Sequence, residues 1–174
     1  LVTFTCSVQE EKYLLDGALN GLFKKIYHVR IGLFLKLLNL AQGVFRDKPF
    51  QVMLFRSRKM RVLIKKINES DGQDLSICHM VRAAEYQDLI KTDIKILELT
   101  DSLALNYARK ADRLIGYNLK SIILRVIYSI EAKRLKKFEL KCVTRNHKSV
   151  VVSDIDRDFI LSGSDDSSEI SDRI

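Results

Sequence analysis

The stretch Asp74–Ile115, DLSICHMVRAAEYQDLIKTDIKILELTDSLALNYARKADRLI, decides how the fold is read. It contains neither glycine nor proline, and Leu89, Ile90, Ile94, Leu97, Ala104, Ala108, Ala111 and Ile115 follow a helical pattern. Such a length predicts helices that fold back on one another or form a rod. Thr92-Asp93 and Thr100-Asp101 are candidate caps, because their side chains compete for backbone donors. The rest of the chain agrees: seven glycines, one proline and no tryptophan among 174 residues leave few of the tight turns that an all-β fold needs. The expectation is an all-α fold, a bundle of four to six helices that allows a short C-terminal hairpin and ends in a disordered acidic tail.

Towards the N-terminus, Leu15, Leu19, Leu22, Ile26, Val29, Leu33, Leu37, Leu40 and Val44 step by three or four positions and predict one helical stripe. Phe23, Phe34, Leu38 and Phe45 widen it, leaving Lys24, His28, Lys36, Asn39 and Arg46 as a narrow polar edge. A helix apolar around so much of its circumference belongs at the centre of a bundle; the alternative is a helix lying in a membrane interface, its cations beside large apolar groups. The glycines of this segment, Gly43 among them, predict close helix approach or a kink.

Asp47-Lys48-Pro49 is a helix-start signal, predicting a helix from Pro49 to Asn68. Met53, Met60, Leu63, Ile64 and Ile67 form its apolar face, and Arg58, Arg61 and Lys65 a cationic row. Gly116-Tyr117-Asn118 reads as a turn into a last long helix lined by Leu119, Ile122, Ile123, Val126, Ile127 and Ile130 and ending in Lys133–Lys137. Cations late in a helix answer to its negative carbonyl end, which would account for part of that cluster without a ligand. Val143-Thr144 and Val150–Val152 suggest the hairpin, and Ser153 a cap for a turn toward Phe159–Leu161. The expected organisation is one helical domain over 1–161 and an acidic, serine-rich tail over 162–174, too poor in apolar groups to order itself.

Charge is banded. Residues 1–68 carry +9, 69–100 carry −4, 101–143 carry +6 and 144–174 carry −3, for a net +8. Cys6, Cys78 and Cys142 lack close pairing in sequence and read as reduced thiols. His28, His79 and His147 lie far apart, without the spacings that converge on zinc. Cys78-His79 are neighbours that would diverge by about 100° on a helix. Asp154, Asp156 and Asp158 resemble a calcium loop, but Phe159 stands where its glycine is needed. No glycine-rich phosphate cradle is present. The sequence therefore predicts no catalytic residue, cofactor or metal.

The expected function is a non-enzymatic interaction module, an adaptor or subunit that docks another protein. The alternative is electrostatic binding of nucleic acid or an anionic membrane surface through basic helices. Arg58, Arg61, Lys65, Lys133, Arg134 and Lys137 are the candidate partner-binding residues. No window is long and apolar enough to span a bilayer, and the expected compartment is cytoplasmic or nuclear, with a secreted chain as the alternative. The acids Asp165, Asp166, Glu169 and Asp172 are further expected to mask the basic helices, under control of serine phosphorylation.

Overall fold

The computed structural model describes all residues except 17–20, 71, 117, 163 and 165–169. The architecture is mixed α/β, not an all-α bundle. Along the chain run β1 (Val2–Thr5), α1 (Val8–Asp16), β2 (Tyr27–Arg30), α2 (Leu33–Val44), α3 (Phe50–Leu54), α4 (Arg58–Ser70), β3 (Gln73–His79) and α5 (Ala84–Gln87). They are followed by β4 (Thr92–Thr100), α6 (Leu103–Asp112), α7 (Leu119–Arg145), β5 (Lys148–Val151) and α8 (Asp154–Leu161). The strands form two parallel sheets, β1-β2 and β3-β4-β5.

The opening stretch yields two strands where its helical spacing predicts only helix. Its alternative period, two, governs β4: Leu97 and Leu99 are buried, while Ile94 on the opposite face is exposed. In register with it, Ser76 and Cys78 of β3 face the interior and Leu75 and Ile77 face out. Thr92 and Thr100 are the ends of β4 rather than helix caps; Ser102 caps α6, its side chain accepting the Leu105 N–H. Parallel strands are joined by helical crossovers and need no hairpin turns, so scarce glycine and proline do not exclude them. Where the chain leaves β3 and reaches the end of β4, it uses Met80 and Thr100 at φ 69° and 63°, a region usually left to glycine.

The C-terminal hairpin is absent too. Val143 and Thr144 continue α7, and β5 pairs in parallel with the central strand β4. The described end of the tail is docked rather than disordered: Ile170 and Ile174 pack on the core, and the Arg173 guanidinium donates to the carbonyls of Thr144 and Asn146. Ser153 does cap α8, by accepting the Asp156 N–H. The Asn118 side chain accepts the Ser121 N–H and so caps the start of α7.

The main core lies between one face of β3-β4-β5 and helices α6, α7 and α8, with Leu97, Leu99, Ala104, Leu135, Val143 and Ile160 enclosed. A second cluster joins Val29 of β2, Met60 and Ile64 of α4, and Tyr86. The helix expected over Pro49–Asn68 breaks into α3 and α4. Tyr86 bridges the break, its hydroxyl accepting the Ser57 N–H at 2.6 Å and donating to the Phe55 carbonyl at 2.7 Å.

The expected central helix over 15–45 is replaced by α1, β2 and α2. Leu19 lies outside the described residues. α2 sits inside out: Asn39 and Gly43 are buried, whereas Leu33, Phe34, Leu37, Leu38, Val44 and Phe45 are exposed. The anchor is close approach. A Cβ on Gly43 would stand 3.3 Å from both Met53 Cγ and Phe50 Cδ1, and Asn39 donates to the Arg56 carbonyl at 2.8 Å. The polar edge thus holds the helix to the protein and the apolar stripe faces out.

Candidate functional site

Helix α7 organises the site through two glutamates that it buries, Glu131 and Glu139. Glu131 accepts the Phe50 and Gln51 N–H groups at 2.8 and 2.9 Å. It therefore caps α3 in place of Asp47, satisfying amides that have no partner within their own helix. Glu139 accepts the Ala104 N–H at 3.1 Å and the Ser102 hydroxyl at 2.7 Å, closing the start of α6. Burial pushes the Glu139 carboxyl up to about 7 against the pull of those donors, and Glu131 is raised for the same reason. Both carboxylates tie other helices to α7 and so set what its outer face can meet.

That outer face borders a cleft of about 440 Å³ whose cations are Lys48, Arg61, Arg134, Lys137, Lys141 and Arg145. Asp47, Glu85 and Asp88 are its carboxylates, and Leu89, Phe138 and Cys142 supply apolar wall. Four of the cations are engaged. Lys48 and Arg61 pair with Glu85, Arg145 with Asp88 at 2.8 Å, and Arg134 reaches Asp47 at 4.0 Å. Arg134 is also part of the framework, lying 5.0 Å over the Phe50 ring and donating to the Gly43 carbonyl at 3.2 Å. Lys137 and Lys141 have no ion-pair partner among the described residues. The cleft therefore keeps an uncompensated positive charge beside apolar wall.

Of the six candidate partner-binding residues, the structure brings Arg61, Arg134 and Lys137 to this cleft. Arg58, Lys65 and Lys133 are exposed but do not line it. Lys48, Lys141 and Arg145 were not singled out by the sequence reading, although the spacing 134, 137, 141, 145 is a legible helical row. The helix-end explanation for Lys133–Lys137 is overturned, because α7 runs on to Arg145 and those cations lie well inside it.

The thiol in the wall is no activated nucleophile: burial pushes Cys142 far above the usual thiol range. Cys78 is likewise pushed up to about 12, and on β3 it faces the core while neighbouring His79 points outward to Glu98 at 3.0 Å. Among the described residues no group of three His, Cys, Asp or Glu is arranged to hold a metal. Nor is any described helix long and apolar enough to cross a membrane. Of the acids expected to mask the basic helices, Asp165, Asp166 and Glu169 lie outside the described residues; the Asp172 carbonyl accepts from the Lys148 ammonium. No family model, curated protein or solved structure matches the chain.

Proposed function

We propose that this chain is a non-enzymatic binding module whose cleft, between α4–α5 and the C-terminal half of α7, holds a phosphate-bearing ligand. The observation that carries the reading is the pair Lys137 and Lys141, unpaired on a wall shared with four other cations. Ammonium groups with no ion-pair partner among the described residues retain their field for an incoming anion, and a concave wall of low dielectric focuses it. Arg61, Arg145 and Lys48 can exchange carboxylate for phosphate oxygens, whereas Arg134 positions α2 and α3 around the site.

Tripolyphosphate titration at increasing salt tests this. Affinity should fall steadily as salt rises, because added ions screen the attraction of the two lysines for phosphate. The double variant Lys137→Glu/Lys141→Glu should lose at least tenfold in affinity; equal binding by both proteins would refute the reading.

Docking of a protein is the second reading, favoured by the open face of the three-stranded sheet. Leu75, Ile77, Ile94 and Val150 are exposed there, although parallel sheets are ordinarily covered on both faces. Association through that face would be insensitive to salt and to the lysine substitutions.

A further inference from the structure

We infer that the phosphates held by the cleft belong to an anionic lipid bilayer, on which the protein lies with α2 and the N-terminal half of α7 pressed into the interface. This rests on the phosphate-binding reading and extends it to one source of phosphate. Three observations converge on it.

The first is a continuous stripe on α7. At 100° per residue, Leu119, Ile123, Val126, Ile127 and Ile130 fall within the same arc of about 100° as Arg134, Lys137, Lys141 and Arg145. The five apolar members are all exposed. One face of a helix about 40 Å long is thus apolar in its first half and cationic in its second. Glu139 lies on the opposite, buried side, and Glu131, also buried, on the flank between.

The second is the inverted helix α2, with Phe34 75% and Phe45 92% exposed. Its C-terminal end is fixed to the same region of α7, where Arg134 donates to the Gly43 carbonyl. The C-terminal end of α2 therefore meets α7 at Arg134, which lines the cleft.

The third observation is charge. Residues 17–46 contain no Asp or Glu but five Lys or Arg, and residues 113–130 contain none against three. A chain with 22 acids in 174 residues would place about six in those 48 positions if charge were spread evenly. Both apolar surfaces are thus embedded in segments cleared of carboxylates. A second copy would bring these cations against their own kind. A bilayer of acidic lipids offers acyl carbon beside a plane of phosphate, the combination that this face matches.

Co-sedimentation with vesicles of phosphatidylcholine, with and without 30% phosphatidylserine, tests the inference alongside tripolyphosphate titration and sedimentation velocity. The wild-type chain should bind the acidic vesicles at least tenfold more tightly than the neutral ones. Phe34→Gln/Phe45→Gln/Ile123→Gln changes only exposed side chains and no charge; it should keep tripolyphosphate affinity and its melting transition while losing vesicle binding at least tenfold. Lys137→Glu/Lys141→Glu should lose both ligands. Tripolyphosphate binding without vesicle binding overturns the membrane and leaves the cleft reading standing, and binding of neither removes both. Vesicle binding unchanged in either variant overturns the inference. A wild-type dimer that the apolar variant converts to monomer overturns it in favour of a second copy.

Discussion

Glu139 is wholly enclosed and yet supplies the acceptors that start α6. Its carboxyl is raised from 4.5 to about 7 by burial, so the folded chain holds a proton that the unfolded chain has released. Its contribution to stability is therefore greatest below about pH 4.5, declines as pH rises through the interval to about 7, and levels off above it, a change on the order of 3 kcal/mol. Denaturant unfolding from pH 5 to 8 should show that decline, and Glu139→Gln, which no longer titrates, should flatten it. Thr100 makes a second residue-scale prediction. A β-branched residue at φ 63° is strained, so Thr100→Gly should raise stability by roughly 1 kcal/mol despite the added freedom of the unfolded chain, read as a higher melting temperature.

At the scale of elements, α7 does two jobs with different faces. The inner face ends other helices' unsatisfied amides with glutamates, and the outer face presents the stripe. Glu131→Ala should leave the Phe50 and Gln51 amides without acceptors and cost about 2 to 4 kcal/mol, measurable by denaturant unfolding. Loosened α3 should also weaken tripolyphosphate binding, since Lys48 precedes it and Arg134 stacks on its Phe50. A glutamate within a basic helix reads from sequence as solvated surface. What marks Glu131 and Glu139 is only that they are the two acids between Arg113 and Arg145. Their partners lie 81 and 35 positions away along the chain, beyond any local pattern.

For the whole molecule, the four charge bands become a spatial arrangement. The first and third, both positive, meet across the cleft through Arg61 and the α7 row, and the negative second band contributes Glu85 and Asp88 to the same wall. Like charges gathered at Lys137 and Lys141 contribute nothing to holding the fold. Lys137→Glu/Lys141→Glu should therefore leave unfolding free energy within about 0.5 kcal/mol of wild type, or raise it, while anion affinity falls. Arg134→Ala should lower both, because its guanidinium packs on Phe50 and holds Gly43. Comparing the two variants by melting and titration separates a ligand cation from a structural one.

Local chemistry alone determined the turn before α7, the cap at Ser153 and the close approach at Gly43, since each depends on neighbours within a helical turn or two. The strands, the burial of Glu131 and Glu139, and the outward apolar faces were decided by tertiary structure. Ile94–Leu99 fits both periods, and only pairing with β3, 19 residues away, and with β5, about 52 residues away, selects the extended one. Likewise, apolar spacing specifies that a helix has an apolar side, but not whether that side meets the protein or something else. On α2 the packing of Gly43 and Asn39 turned it outward.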